Sequence, residues 1–383
     1  MPSVLKYVGF GETTGYGVSA LALVRALKEQ GVHVIFTELL AGSPQTGGHV
    51  VASSDSTTGT YQHVILHTVP EYYPHWIKKE KQHNPSVKVW GYTAWETDQT
   101  PDHWPALLNQ LDGIFVPSQW NKEVFKLCGV TPPVKVLPHI SEFHGKTIEG
   151  KVSSGLEKIL QQTSDSFLFY NIGVWNERKA PWLLIQAFLE EFSSDEKVAL
   201  LLKTGKQDWT SFGRRWQNLF RKGCGNSSTA FRKLLATAPR SGKVFHLSDH
   251  LTHQDIGVLH TQGDCFVSFA RGEGWGMGAY EAAWFGKPIA MAGFGGPLDY
   301  LPQKLSYHLD FRLVPVECAY GQESYSPNQK WADIDIAKAR KTLRKIFENR
   351  TEAFQKGQRL QQYIQQHFRD DVIAQQCLDA LNL

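Results

Sequence analysis

The most informative stretch of the chain is residues 273–296, EGWGMGAYEAAWFGKPIAMAGFGG, which follows a short apolar run at residues 265–269. Two carboxylates, Glu273 and Glu281, flank a glycine-rich turn with seven residues between them. The apolar run predicts a buried strand, and the residues from Gly278 onward predict a helix. In an open α/β sheet, ligands bind at the carboxyl ends of the strands. The segment therefore predicts a strand, a ligand-binding turn and a helix in that order.

Short apolar runs alternate with stretches of helical periodicity on both sides of this segment. The predicted strands lie at residues 5–10, 32–38, 63–68, 87–93, 113–117, 134–140, 167–174, 197–203, 244–247, 265–269 and 288–292. The predicted helices lie at residues 18–30, 74–82, 101–111, 119–127, 181–192, 210–222, 252–261 and 278–285, and two or three more follow residue 334. Such alternation is typical of parallel sheets with helices on both faces. Residues 41–62 predict a loop, and residues 141–165 predict a linker with a short helix.

The length of 383 residues fits two domains of ordinary size, and an apolar fraction of 42% with 20% charged residues is typical of globular proteins. This composition excludes a disordered chain, a collagen and a coiled coil. No apolar run approaches the ~18 residues of a membrane-spanning helix, and the N-terminus lacks the pattern of a secretory signal. The five cysteines form no C-x-x-C pair, which disfavours a disulfide framework or a cysteine zinc site. These features predict a cytoplasmic protein.

Positive charge is concentrated between Lys206 and Lys243. This segment has nine basic residues and one acidic residue, so it carries +8 while the rest of the chain carries −5 of the net +3. A local basic patch predicts contact with an anionic surface, either a membrane touched from its periphery or nucleic acid. The alternative is a helix that packs through Trp209 and Trp216 and leaves a solvated basic face.

A second glycine-rich turn, GFGETTGYG at residues 9–17, follows the first predicted strand. Gly11, Gly15 and Gly17 would let backbone amides approach a phosphate or a sugar, and the following helix start adds a partial positive charge. The spacing is not G-x-G-x-x-G, and only Glu38 offers the acidic residue that a nicotinamide site needs. A nicotinamide oxidoreductase is therefore disfavoured, and a turn without any ligand is the alternative for these glycines.

The pair Glu273-x7-Glu281 resembles the signature of retaining glycosyltransferases of family four, which have the GT-B fold. Residues 171–188, NIGVWNERKAPWLLIQAF, resemble the strand, basic residue and helix that open the second domain of that family. Residues 113–120, GIFVPSQW, resemble the strand and serine at the nucleotide edge of the first sheet, and residues 245–264 resemble the strand and helix before the signature. The resemblance covers about residues 5–301 and is strongest in the second half.

This resemblance implies two Rossmann-like doubly wound domains that face a central cleft. The implied boundaries are residues 1–145 for an acceptor-side domain, 146–360 for a nucleotide-sugar-side domain, and 361–383 for a helix that crosses back to the first domain. The implied reaction transfers a sugar with retention from a nucleotide-diphosphate sugar, as co-substrate, to an acceptor hydroxyl. The acceptor would be a glycan, a lipid, a protein or nucleic acid. No cofactor is implied, and none of these motifs requires a divalent metal.

The family also implies roles for individual residues. Glu273 would bind hydroxyls of the donor sugar, Glu281 would bind the ribose, and Lys179 would bind the diphosphate. The implied donor-binding residues around them are Gly173, Gly274, Trp275, Gly276 and Met277.

The chain departs from the family pattern at three positions. Val174 stands where the family usually has an arginine, and Arg178 is the candidate replacement for that charge. Ala180 stands where glycine is usual. Glu96 follows the strand at residues 87–93, where the family often has a histidine that reaches the donor sugar.

Two other functions are compatible with the same motifs. One is another GT-B activity, such as a sugar-nucleotide epimerase, which needs no acceptor. The other is a non-catalytic module that binds a nucleotide sugar or a glycan without turnover. The retained pair of carboxylates favours the transferase.

Overall fold

The computed structural model describes residues 3–11, 14–53, 60–148, 150–212, 225–238, 242–317 and 324–383. Contacts divide the chain into two compact units. Unit 1 comprises residues Met1–His144 together with Gln366–Leu383, and unit 2 comprises Gly145–Gln365. Each unit is built on its own sheet.

The sheet of unit 1 has seven strands, six of which run parallel. The strands are β1 (Val4–Phe10), β2 (His33–Leu40), β3 (His49–Ser53), β4 (His63–His67), β5 (Lys88–Tyr92), β6 (Gly113–Val116) and β7 (Val134–Val136). Their order is β3-β2-β1-β4-β5-β6-β7, and β3 pairs with β2 in the antiparallel sense. The helices are α1 (Gly15–Glu29), α2 (Tyr73–His83), α3 (Trp104–Leu108) and α4 (Gln119–Leu127), with 3-10 turns at Pro44–Thr46 and Pro70–Tyr72.

The first strand and helix show why these residues form a doubly wound unit. All residues of β1 after Val4 are buried, as expected for a central parallel strand covered on both faces. Helix α1 begins where the Thr14 side chain accepts a hydrogen bond from the amide of Gly17 at 3.0 Å. Its buried face carries Leu23 and Leu27, so the helix covers one side of the sheet.

The main sheet of unit 2 has six strands, all parallel. The strands of the unit are β8 (Phe167–Ile172), β9 (Val198–Lys203), β10 (Gln207–Asp208), β11 (Gly225–Asn226), β12 (Val244–Leu247), β13 (Cys265–Ser268), β14 (Ile289–Ala292), β15 (Tyr307–Leu309), β16 (Phe311–Pro315) and β17 (Lys330–Ile334). The main sheet has the order β12-β9-β8-β13-β14-β15, and two antiparallel ribbons, β10-β11 and β16-β17, lie outside it.

Helices complete unit 2 and the C-terminus. They are α5 (Ser154–Gln162), α6 (Pro181–Glu191), α7 (Ser227–Ala236), α8 (His253–Gln262), α9 (Met277–Trp284), α10 (Ile336–Glu348), α11 (Arg350–His367) and α12 (Asp370–Leu381), with 3-10 turns at Trp209–Phe212 and Gly296–Asp299. No helix in the described ranges is long and apolar enough to cross a membrane. Three of the five cysteines, Cys128, Cys265 and Cys377, are free, and the other two lie outside the described residues.

Both main sheets reverse their strand order beside the first strand of the unit. The reversal lies between β1 and β4 in unit 1 and between β8 and β13 in unit 2. In doubly wound sheets this topological switch point opens a crevice at the carboxyl ends of the two strands, and ligands bind there. The two glycine-rich turns of the sequence follow β1 and β13, so both lie at switch points.

The last helix belongs to unit 1, where it packs on α1. Ile373, Cys377 and Leu381 are buried in that contact region. The Asp370 carboxylate accepts from the Arg25 guanidinium at 3.1 Å, and His144 Nδ1 lies 2.8 Å from it. The chain therefore returns to its first unit after completing the second.

Candidate functional site

The switch point of unit 2 brings together three residues that the sequence singled out. Glu273 lies in the turn after β13 with 7% of its surface exposed. Lys179 donates from Nζ to Oε1 of this carboxylate, and Arg178 Nη1 lies 3.1 Å from its other oxygen. Both basic residues lie in the turn between β8 and α6, so ion pairs connect this turn with the turn after β13.

This group of Arg178, Lys179 and Glu273 carries an excess of positive charge, because one carboxylate faces two cations. Burial by itself would raise the pKa of Glu273, but the charges of Lys179 and Arg178 outweigh it and hold the pKa below its usual value. Glu273 is therefore ionised at neutral pH. A net positive, largely buried group at the carboxyl edge of a sheet is suited to an anionic ligand.

The turn that carries the two cations is shaped by Asn176 and Ala180. The Asn176 side chain accepts from the Lys179 amide at 2.8 Å, and its carbonyl accepts from the Ala180 amide at 2.9 Å. Ala180 has φ 40° and ψ 49°, a left-handed conformation that costs a residue with a Cβ roughly 1–2 kcal/mol. This conformation explains why glycine is usual here in the family that the sequence resembles.

Hydrogen bonds to backbone carbonyls fix the turn around Glu273 from both neighbouring loops. The Arg271 amide donates to the Arg178 carbonyl at 2.7 Å, and Arg178 Nη1 also donates to the Gly272 carbonyl at 2.8 Å. The Gly296 amide donates to the Glu273 carbonyl at 2.9 Å. A Cβ at Gly295 would lie 2.7 Å from that same carbonyl oxygen, so glycine is required for this approach.

Helix α9 starts beside this turn. Gly276 precedes it with φ 85°, and no side chain caps its first turn. The first amides of any helix have no partner within the helix, and together they carry a partial positive charge. A Cβ at Gly278 would lie 3.3 Å from the Ile172 carbonyl at the end of β8, so the helix start packs closely against the switch point.

Glu281 lies on α9 with 6% of its surface exposed. His260 Nε2 lies 3.7 Å from its carboxylate. Burial, and then the charge of Lys287, lower the pKa of His260 to about 3, so this imidazole is neutral at physiological pH. Its Nδ1 lies 3.0 Å from the Tyr170 hydroxyl. The contact between His260 and Glu281 is therefore not an ion pair.

Arg178 supplies positive charge at this edge of the sheet, and the apolar Val174 does not. Val174 follows Gly173 in the turn after β8 and is 37% exposed. The side chain of Arg178 reaches Glu273 from the same turn. The replacement of the family's arginine by Arg178 stays a prediction, because these contacts place Arg178 beside Glu273 and give no ligand.

The glycines of the first turn, in unit 1, differ in what they pack against. A Cβ at Gly17 would collide with the Gly11 carbonyl, and one at Gly11 would collide with the Glu38 carboxylate. A Cβ at Gly15 would meet no atom within 4 Å. Gly17 is thus required by backbone packing alone, whereas at Gly11 the Glu38 side chain could move aside. Their predicted contact with a donor stays a prediction, as does that of Gly15.

Glu96 lies in unit 1 after β5, between two buried residues. Trp95 Nε1 donates to Thr97 Oγ1 at 2.7 Å, which fixes the backbone on either side of Glu96. The charge of Glu96 contributes to the raised pKa of Tyr16, which reaches about 12 mainly through burial. Tyr16 belongs to the first turn of α1, and its hydroxyl lies 2.8 Å from Thr93 Oγ1. Tyr16 therefore connects the first glycine-rich turn to Thr93, at the end of β5.

Five of the nine basic residues of the segment Lys206 to Lys243 lie outside the described residues. They are Arg214, Arg215, Arg221, Lys222 and Arg240, so contact with an anionic surface stays a prediction. Within the described ranges, no group of three or more His, Cys, Asp or Glu side chains could hold a metal ion. Metal independence of the reaction likewise stays a prediction.

Comparisons with known proteins place this architecture among solved structures. No family model and no curated protein matches the chain. Structures over almost the whole chain do match: HepE of Anabaena in complex with UDP and glucose, at 14% identity and TM-score 0.66, covers 99% of each chain. Sucrose-phosphate synthase of Thermosynechococcus elongatus matches at 14% identity and TM-score 0.65, covering 99% of this chain and 98% of its own.

A third match is the E. coli trehalose-6-phosphate structure bound with UDP-2-fluoro glucose, at 10% identity, TM-score 0.66 and 99% coverage of each chain. Identities this low establish the fold alone. The chain has the GT-B fold. The predicted fold class of two Rossmann-like doubly wound domains is thereby confirmed.

Three features of the site were missed in the sequence. Asn176 carried the signal of an Asx-turn but was not singled out. Gly295 and Gly296 belong to the quoted segment, yet their close contact with the Glu273 backbone exists only because the loop after β14 lies against the loop after β13. The third is Tyr300, whose hydroxyl lies 3.0 Å from the carbonyl oxygens of Trp275 and Gly276. It lies beyond the quoted segment, and no local pattern marks it.

Proposed function

We propose that the chain is a retaining glycosyltransferase, similar to family four, that moves a sugar from a nucleotide-diphosphate sugar to an acceptor hydroxyl. The observation that carries this proposal is the meeting of Arg178 and Lys179 with Glu273 beside the start of α9, at the switch point of unit 2. Two cations and helix amides suit a diphosphate, and a buried carboxylate between them suits sugar hydroxyls.

UDP is the nucleotide that we propose first. The similar structures of HepE and the E. coli protein are described with UDP, or with a UDP-linked fluoro sugar. We assign the diphosphate to Lys179, Arg178 and the amides at the start of α9, and the ribose to Glu281. We assign the donor to unit 2 and the acceptor to unit 1, where Glu96 would contact the transferred sugar.

In the proposed reaction, the bond from the anomeric carbon to the diphosphate oxygen breaks through an oxocarbenium-like state. The acceptor oxygen forms the new bond on the same face, and its proton passes to the leaving phosphate oxygen. Negative charge grows on the diphosphate during this step. Lys179, Arg178 and the helix amides would stabilise that charge in place, without a metal ion.

A thermal-shift panel of UDP-, GDP-, ADP- and dTDP-sugars tests the proposal. A ligand at about 100 times its dissociation constant adds ~2.7 kcal/mol to the free energy of unfolding, so we expect one nucleotide to raise the unfolding temperature clearly. The matching nucleoside without phosphate should raise it much less. Absence of a shift with every member of the panel at millimolar concentration would contradict the proposal.

Product analysis with the nucleotide selected by the panel separates the transferase from its rivals. Consumption of the donor only in the presence of an acceptor supports the transferase, and retained anomeric configuration in the product supports the assigned stereochemistry. Conversion of the donor to an epimer without any acceptor indicates an epimerase. Binding without turnover across a broad acceptor panel indicates a binding module.

The role of Glu281 is tested by Glu281→Gln, which keeps the side-chain shape. Hydrogen bonds to a charged group are worth ~1.5–3 kcal/mol, so donor affinity should fall by roughly tenfold or more. The free energy of unfolding should change little, because glutamine keeps the shape of the buried side chain and the neutral His260 ring needs no charge opposite it. Calorimetry with unaltered donor affinity would remove Glu281 from the site.

A further inference from the structure

A buried tyrosine lies directly beneath the glycine-rich turn of unit 2. Tyr300 follows the 3-10 turn Gly296–Asp299 and is fully buried. Its hydroxyl lies 3.0 Å from the carbonyl oxygen of Trp275 and 3.0 Å from that of Gly276, and it donates to this pair. A single side chain thus holds two successive peptide groups at the start of α9.

Peptide geometry connects these carbonyls to the amides that follow them. The Trp275 carbonyl shares a peptide plane with the Gly276 amide, and the Gly276 carbonyl shares one with the Met277 amide. The described peptide bonds are all trans, so each N–H points opposite to its C=O. Tyr300 holds the Trp275 carbonyl, and it holds the Gly276 carbonyl together with the Ala279 and Tyr280 amides of α9. The amides of Gly276 and Met277 therefore face the other side of the turn.

Packing fixes the position of the Tyr300 ring and hydroxyl. Its ring centroid lies 4.8 Å from that of Trp275 and 5.1 Å from that of Tyr280. A Cβ at Gly276 would lie 3.2 Å from the Tyr300 hydroxyl, so the turn rests directly on that group. Burial, and then the charges of Glu273, Tyr280 and Glu281, raise the pKa of Tyr300 well above its usual value. The hydroxyl therefore keeps the proton that it donates.

We infer that Tyr300 is a positioning residue that aims the amides of Gly276 and Met277 at the diphosphate of the donor. The inference rests on the proposed function, because the ligand it names is the leaving group of that reaction. Tyr300 would act only through the two peptide groups and would not touch the ligand. Its loss should therefore weaken the diphosphate contact and leave the nucleoside contact unchanged.

Calorimetry on Tyr300→Phe tests this separation with UDP and uridine as probes. We expect the dissociation constant of UDP to rise about tenfold, kcat/KM to fall by a similar factor, and the affinity for uridine to stay the same. The aromatic ring remains, so packing against Trp275 and Tyr280 is kept. Tyr307→Phe is the matched control, because Tyr307 is also buried in unit 2 and its hydroxyl makes no hydrogen bond within the described residues.

A second measurement on the unmutated protein does not depend on how well the variant folds. The chain contains three methionines, and two of them, Met277 and Met291, lie inside the chain. Selective 15N-methionine labelling therefore gives two backbone amide signals from unit 2, assigned by Met→Leu variants. UDP should shift the Met277 signal and uridine should not. Met291, buried in β14, is the internal reference.

The outcomes separate this inference from the proposed function. UDP binding with equal affinity in wild type and Tyr300→Phe overturns the role of Tyr300 and leaves the transferase intact. An unmoved Met277 signal in the UDP-bound protein overturns the amide contact. Equal weakening of UDP and uridine marks Tyr300 as merely structural. A wild-type protein that binds no nucleoside diphosphate overturns the proposed function, and the inference falls with it.

Discussion

We expect Lys179→Ala to lower kcat by roughly 100- to 1000-fold, which is the typical cost of removing one group that stabilises charge developing in the transition state. Lys179 and Arg178 are cations at the switch point of unit 2, and both face the buried Glu273. The leaving diphosphate gains charge as its bond to the sugar breaks, so the loss should appear in turnover more than in the binding of substrate. Steady-state kinetics with the selected donor measures it.

The fold should tolerate this change, because Arg178 still pairs with Glu273 when Lys179 is removed. Lys338→Ala is the matched control: its exposed ion pair with Asp310, at 3.0 Å, lies on α10 and is worth little. Arg178→Ala should lower kcat as well, and it should also lower the free energy of unfolding by about 1 kcal/mol, since its bond to the Gly272 carbonyl is lost. Wild-type kcat in Lys179→Ala would remove this lysine from the mechanism.

The second large effect concerns the C-terminal helix. A chain that ends at Gln361 should be insoluble, because α12 packs on α1 and would leave an apolar face of unit 1 in water. Ile373, Leu378 and Leu381 are each at least 93% buried. At ~1.5–3 kcal/mol per buried side chain, these three alone contribute roughly 5–9 kcal/mol. That amount is comparable to the whole free energy of unfolding of a typical domain, about 5–15 kcal/mol.

Removal of only Asn382 and Leu383 is the control for this truncation, since it keeps α12 whole. Fractionation of the expressed protein and circular dichroism of the soluble part measure the outcome. Arg25→Ala offers a milder version, because it breaks the 3.1 Å pair with the nearly buried Asp370 and leaves the apolar contacts in place. A soluble, fully active chain ending at Gln361 would show that the helix is dispensable.

The regular core of both sheets was predictable because its signals are local. The strands at β12 and β13 and the helix α4 lie where apolar periodicity and caps put them, within a residue or so. The sequence also indicated that Arg178, Lys179 and Glu273 lie in turns at the same edge of the sheet. Turns that follow two neighbouring parallel strands at a switch point lie at the same edge of the sheet.

The remaining elements depend on partners that are far away in the sequence. The predicted loop at residues 41–62 contains β3, a short edge strand whose pairing with β2 passes through an irregular register after Glu38. The ribbon of β16 with β17 and the three-residue β15 were not predicted either, because each exists only through its neighbour. Helix α7 was missed as well, and the predicted helix at residues 210–222 lies mainly outside the described residues.

The site follows the same rule. The Glu273 turn could be recognised in the sequence because glycines and carboxylates mark it locally. The shared ion pairs of Glu273 could not be derived, since they require the depth of burial and the direction of two side chains. The role of Tyr300 could not be predicted for the same reason. A buried tyrosine is common in a hydrophobic core, and only the structure shows that its hydroxyl lies beside the carbonyls of Trp275 and Gly276.

The diphosphate subsite at the carboxyl ends of β8 and β13 is tested most directly by one calorimetric comparison. The wild-type protein is titrated with the nucleoside diphosphate that the panel selects, UDP in the first instance, and with the matching nucleoside. Two charge-assisted contacts of ~1.5 kcal/mol each predict that the diphosphate binds about 100-fold more tightly. In Lys179→Ala this ratio should fall to about 10-fold. Equal affinity of the wild-type protein for the diphosphate and the nucleoside would contradict the assignment of this switch point to a nucleotide sugar.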